Sequence, residues 1–167
     1  MDITLDSPFP NGSWTLYFHA QDENKWGLNT FTKISTITCW REFWSVLEAI
    51  GNDSISDGMF FFMRDPIPPL WENHQNVRGG VYSIRVQKQH ATETYISYTI
   101  ACILGKLTTN PDNIINGVSV SPKKNFNIIK VWNTDSTMHN TPSDLQSLTA
   151  SSKAEEVLYT PFVQKKM

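Results

Sequence analysis

The stretch Ile67-Pro68-Pro69-Leu70-Trp71-Glu72-Asn73, followed by Arg78-Gly79-Gly80, decides how the chain is read. The prolines fix φ on the approach, so the backbone reaches Trp71 as a stiff, extended segment. Leu70 is expected to root this segment in the core while Trp71 presents a ring face, and the glycine pair is expected to loosen the exit. Glu72 then stands as a carboxylate at the edge of whatever the ring stacks on. A flat π surface beside an in-plane acceptor for two N–H groups is what reading a guanine base requires. A base made cationic by N7-methylation would also be drawn to indole faces by cation–π attraction.

Working outward, residues 1–12 read as a short extended tail, and 13–20 (Ser-Trp-Thr-Leu-Tyr-Phe-His-Ala) as a strand rich in aromatic and β-favouring residues. The polar run 21–25 delivers Trp26 beside Gly27, a place poor for the core and good for a ligand. Trp40, Phe43, Trp44, Leu47 and Ile50 recur at helical spacing and predict a helix over 39–50, with Thr38 as N-cap and Gly51-Asn52 as the stop. Further strands are expected at 59–63, 81–87, 118–121 and 127–133, the last two joined by Pro122-Lys123-Lys124-Asn125. A second helix is expected over 92–104, ended by Gly105. A short helix near 143–148 and a final strand over 157–162 follow, and 135–152 leans toward low complexity. Antiparallel hairpins with interspersed helices give an α+β class, one curved sheet with helices on one face.

At 167 residues, 40% hydrophobic and 18% charged, the chain is expected to form one domain over 1–167. A net charge of −2 argues against coating long nucleic acid by phosphate neutralisation. Cys39 and Cys102 lie in helical stretches without metal-ligand spacing, which points to reduced thiols and an intracellular compartment. The start of the chain has neither a basic nor an apolar leader-like run, and nothing approaches membrane-spanning length, so a soluble protein is expected. His19, His74, His90 and His139 have no zinc-like or triad-like company and are expected at the surface. Asp112, Glu155 and Glu156 are scattered, and no phosphate-binding loop or nucleophile elbow occurs. No catalysis, metal or cofactor is therefore expected.

Trp26, Trp71 and Trp132 fall at loop or strand ends. Singly, each is better explained by packing; with Glu72 and Lys123-Lys124 they form a constellation. The runs Ser13-Trp14, Lys25-Trp26, Glu42-Phe43-Trp44, Pro69-Leu70-Trp71-Glu72, Arg78-Gly79-Gly80 and Val131-Trp132 resemble the eukaryotic translation initiation factor 4E family, the mRNA cap-binding proteins. The likeness covers about Trp14 to Trp132, while residues 134–167 match poorly. It implies a cupped antiparallel sheet with three helices on its convex face and the cap in its concave face. Trp26 and Trp71 would sandwich the 7-methylguanine, and Glu72 would accept its N1 and N2 protons in a charge-assisted contact. The Trp71 backbone N–H would reach O6, and Trp132 would pack on the methyl group.

For the cap phosphates, Lys123 matches the family's hairpin arginine, but Asn125 and Ile128 stand at the next two basic positions and Val81 follows the glycine pair. Lys124, Arg78, Lys165 and Lys166 are the candidates to compensate, so a thinner phosphate grip or a preference for a differently decorated cap is expected. The resemblance places Trp44 exposed on the convex back, receiving a Tyr-x-x-x-x-Leu helix from a 4G-type scaffold or a 4E-binding protein. Periodicity alone allows Trp44 to be core. Trp40, Tyr98 and Ala101, with Ile96 and Ser97, stand at the neighbouring partner positions. The implied activity is recruitment of capped mRNA to a scaffold by a cytoplasmic monomer. The alternatives are a cap-binding repressor and an interaction module whose cap site is lost.

Overall fold

The computed structural model describes residues 4–148 and 156–163. Seven strands run β1 (Trp14–His19), β2 (Phe31–Ile37), β3 (Met59–Arg64), β4 (Gly80–Val86), β5 (Ile115–Pro122), β6 (Asn127–Asn133) and β7 (Leu158–Pro161). They form one sheet in the order β2-β1-β3-β5-β6-β4-β7, with every neighbouring pair antiparallel. Three α-helices, α1 (Trp40–Ile50), α2 (Asn52–Asp57) and α3 (Ala91–Ile103), and three single 3₁₀ turns supply the rest of the regular structure among the described residues. The α+β expectation holds: the sheet is curved and unclosed, with the helices on one face.

The two-residue period of the strands sorts side chains to two destinations. Phe60 and Phe62 of β3, Val118 and Val120 of β5, and Ile129 and Val131 of β6 enter the core beneath the helices, where Phe43, Ile55, Tyr95 and Ile103 meet them. Trp14 stacks on Phe62 there at 5.2 Å. Each such side chain contributes about 1.5–3 kcal/mol on burial. The intervening Phe61, Met63, Val81 and Trp132 form a second, smaller cluster on the other face with Ile67. This explains why 59–63 reads as apolar throughout: a central strand here has apolar neighbours on both faces.

Several local expectations are corrected. The strand β2 is absent from the sequence reading because Phe31-Thr-Lys-Ile-Ser-Thr-Ile is an edge strand with only Ile37 buried. Gly51, at φ 85°, ends α1, but α2 starts at once from Asn52. The N-cap of α1 is Cys39, not Thr38. Thr38 instead donates its N–H (3.0 Å) and its hydroxyl to the Glu42 carboxylate, and these bonds hold the Glu42 carboxyl below its usual range. Residues 4–12 do not form a free tail. Phe9 donates its N–H to the Thr38 carbonyl at 2.8 Å, its ring meets Trp40 edge-on at 5.0 Å, and Asp6 pairs with Arg41 at 2.6 Å. The helix expected near 143–148 is a single 3₁₀ turn, Pro142–Asp144. Glu155, Lys165 and Lys166 lie outside the described residues. Cys39 and Cys102 are free buried thiols, and burial pushes Cys102 up to about 12. Among the described residues no helix is long and apolar enough to cross a membrane.

Gly79 shows how closely the loop before β4 approaches β6. A Cβ there would lie 1.8 Å from the carbonyl oxygen of Asn133. Gly79→Ala is therefore expected to cost roughly 1–3 kcal/mol through forced backbone separation. Urea unfolding measures it, and an unchanged midpoint would show that the two segments can part freely.

Candidate functional site

The sheet face away from the helices carries a cleft of about 360 Å³. Its walls come from two loops and its floor from β3, β5 and β6. On one side stands Trp26, 50% exposed, carried by the loop after β1. Its indole lies flat on the His19 ring, at 4.0 Å and 1° between planes. His19 is fully buried, contrary to the surface position expected of it. Each of its ring nitrogens sits 2.9 Å from a backbone carbonyl, Ala20 on one side and Lys25 on the other. These contacts fix the imidazole plane, and the imidazole fixes the plane of Trp26. One indole face is covered, and the other borders the cleft.

On the opposite side stands Trp71, also 50% exposed. Its loop is rooted by the buried Ile67 and Pro69 rather than by Leu70, which is only half-buried; Pro69 and Leu70 both line the cleft. The loop's carbonyls are gathered by one buried side chain: Asn76 donates its amide to Pro68 (3.1 Å) and Leu70 (2.9 Å). Asn116 on β5 in turn donates to Asn76 Oδ1 (3.0 Å) and to the Gln75 carbonyl (2.9 Å). The glycine pair does not loosen the exit. Gly80 N–H donates to Asn133 Oδ1 at 3.0 Å, and Gly79 O accepts from Phe162 N at 3.0 Å. Phe162, so anchored, lies beside Trp71 at 6.4 Å and 29°.

Trp132 forms part of the floor. It is 5% exposed, packs edge-on to Phe61 at 6.2 Å, and donates its indole N–H to Ser119 Oγ at 3.2 Å. Glu72 is exposed at the rim, and its carboxylate accepts no hydrogen bond from the described residues. The structure thus brings Trp26, Trp71, Glu72 and Trp132 to one cleft.

It does not bring the expected cations there. Lys123 and Lys124 are exposed and line a separate depression with Gln21, Asp57 and Lys88. Arg78 is exposed and outside the cleft lining; its carbonyl accepts from Ser136 N (2.9 Å) and Oγ (3.0 Å). The cation that does line the cleft is Lys130, with Met59, Ser119, Ser121 and Phe162. Sequence reasoning missed these, although counting back in twos along β6 from Trp132 reaches Lys130 on the same face.

On the helical side, Trp44 is 47% exposed, resting edge-on against buried Phe43 at 5.1 Å. Trp40 is half-buried between Phe9 and Phe43. Tyr98 and Ala101, expected beside a partner, are instead buried in the core. The outward stripe of α3 runs through Glu93, Ser97 and Ile100 to the exposed Leu104, at helical spacing. His74 and His90 are exposed, and His139 is half-exposed. Among the described residues no group of three His, Cys, Asp or Glu could hold a metal ion.

A sequence profile of the family described as Eukaryotic initiation factor 4E matches residues 11–164. The chain belongs to that family. Among initiation factor 4E proteins it is 25% identical over 127 residues to factor 4E-1A of Danio rerio, an alignment covering 73% of this chain and 59% of that one. It is 24% identical over 128 residues to the Saccharomyces cerevisiae factor, covering 73% and 60%. The chain thus spans under two thirds of the length of these relatives. Its fold is similar to C. elegans eIF4E-3, solved with the 4E-binding protein Mextli and a cap analog, at a TM-score of 0.67 and 22% identity over 78% of this chain and 75% of that one. It is also similar to Ascaris suum eIF4E-3, solved with an m2,2,7G cap, at 0.66 and 22%, over 77% and 73%.

Asn76→Ala removes the donors to Pro68 and Leu70 and leaves the Asn116 amide short of an acceptor. A stability loss of about 1–3 kcal/mol is expected, with greater acrylamide quenching of Trp71. Unchanged stability and unchanged quenching together would show that the loop holds itself.

Proposed function

We propose that this chain binds the 7-methylguanosine 5′ cap of mRNA and recruits it to a scaffold protein for translation initiation in the cytoplasm, acting as a monomeric binding protein and not as an enzyme. The observation that carries this reading is the convergence of Trp26, Trp71, Glu72 and Trp132 on one cleft. The two half-exposed indoles take the flat faces of the base between them. Base–aromatic stacking contributes on the order of 1–3 kcal/mol per base, and a methylated, cationic ring gains further from each indole. Glu72, with both carboxylate oxygens open, accepts the N1 and N2 protons, and the Trp71 backbone N–H serves O6. Trp132 offers its edge to the methyl group. Family membership and the cap-bound structures of similar fold support the same reading.

For the partner, Trp44 presents an indole on the helical side, and a partner helix with spaced apolar anchors fits such a surface. The burial of Tyr98 and Ala101 moves the α3 share of that surface to Ile100 and Leu104. That departure favours a second reading, a cap-binding repressor that holds mRNA without a 4G-type scaffold.

Wild-type protein should be retained on m7GTP resin and released by free m7GTP but not by GTP. Trp26→Ala, Trp71→Ala and Glu72→Ala should each weaken retention by roughly 10–100-fold. Retention surviving all three changes would place the cap elsewhere. Trp44→Ala should abolish capture of a 4G-type peptide and spare cap binding, whereas a wild type that binds cap and ignores that peptide would favour the repressor.

A further inference from the structure

The departure of Lys123 and Lys124 from the cleft leaves its anion chemistry to other groups. Lys130 sits in the middle of β6, between the fully buried Ile129 and Val131, and its side chain goes to the opposite face, into the cleft. In register it lies across from Ser119 on β5 and Ser83 on β4. It is partly buried, and its ammonium has no hydrogen bond or ion pair with any described residue. Burial, with the Lys123 charge added, holds its ammonium below the usual lysine range. An unpaired ammonium on a half-buried sheet face is costly to maintain.

Two hydroxyls share the same wall. Ser119 accepts the Trp132 indole N–H with its oxygen, which leaves its own proton to be donated. Ser121, further along β5, also lines the cleft and donates to no described residue. One ammonium and two hydroxyl protons that no described residue accepts therefore converge beside Trp132. The position matters as well. Lys130 precedes Trp132 by two residues, about 7 Å along a strand, whereas Lys123 and Lys124 stand at the tip of the β5–β6 hairpin, outside the cleft lining, though the Lys123 charge still reaches Lys130.

We infer that Lys130, assisted by Ser119 and Ser121, is the anion contact of this cleft and takes the phosphate nearest the guanosine, so that this protein grips the first phosphate from the sheet floor rather than the outer phosphates from the hairpin. The inference rests on the cap-binding reading. Most of the affinity added by phosphate then arrives with the first one, and the hairpin lysines act only on longer phosphate chains.

The test is a fluorescence titration with 7-methylguanosine, m7GMP and m7GTP, at constant ionic strength, of wild type, Lys130→Met and the double variant Lys123→Ala/Lys124→Ala. Methionine preserves the length and apolar stem of the side chain, and unfolding curves check that the sheet is intact. In wild type, m7GMP should bind about tenfold or more tighter than the nucleoside, the scale of one charge-assisted contact. Lys130→Met should erase that step while keeping nucleoside affinity. The hairpin variant should keep the step and weaken only m7GTP. A first-phosphate step that survives in Lys130→Met, or that vanishes in the hairpin variant instead, overturns the Lys130 assignment alone. Failure of every methylated ligand to bind wild type overturns the cap-binding reading and this inference together.

Discussion

The cleft depends on two pairs of buried side-chain amides, Asn76 with Asn116 and Asn133 with Asn113. Asn76 collects the carbonyls beneath the Trp71 loop, and Asn116 ties Asn76 to β5. Asn133, at the end of β6, accepts the Gly80 N–H and the Tyr159 hydroxyl and donates to Asn113, which donates in turn to Tyr82. The loop from 65 to 79 has no helix or strand ladder of its own and places only Ile67, Pro69, Asn76 and Gly79 in the interior. Without the amides, its backbone carbonyls would face a dry interior unpaired, a cost of about 1–3 kcal/mol each. With them, Trp71 is held before any ligand arrives, and the ordering cost of binding falls.

The same economy appears on the other wall by different means. Trp26 borrows its orientation from His19, whose ring nitrogens lie between the Ala20 and Lys25 backbone carbonyls. Each indole thus has a ring beside it, His19 on one side and Phe162 on the other, and an open face on the cleft. A cationic base between them gains about 1 kcal/mol per face over a neutral one, which compounds to about thirtyfold in affinity. On the proposed reading, charge and stacking geometry would supply most of the discrimination by methylation, with the Trp132 edge a smaller contact to the methyl group.

How much of this was legible in the sequence differs by element. The strands β1, β4 and β6 are readable from their β-branched and aromatic residues with partial alternation, and the helix α1 from an apolar stripe that burial on one face imposes. Edge strand β2, with six of its seven side chains less than buried, carries no such period. The Pro-Pro-Leu-Trp-Glu motif announces the cleft wall, yet which of its residues is buried follows from packing against the sheet, which the local sequence does not carry. Tyr98 and Ala101 were carried over from the resemblance and proved to face inward, since α3 is buried on most of its circumference. The glycine pair was misread for a related reason: proximity of β6 and β7, invisible in sequence, is what demands it. Lys130 is legible in principle from the strand period, two residues before Trp132 on the same face, whereas the hairpin lysines stand out only by their adjacency in sequence.

The measurement that bears most directly on the central claim is a tryptophan fluorescence titration of the unaltered protein with m7GTP and with GTP. Two preorganised indoles around a cationic base predict quenching by m7GTP at concentrations at least about tenfold below those needed for GTP. Equal quenching by both nucleotides, or none by either, would contradict the account and leave the cleft to a ligand of other chemistry.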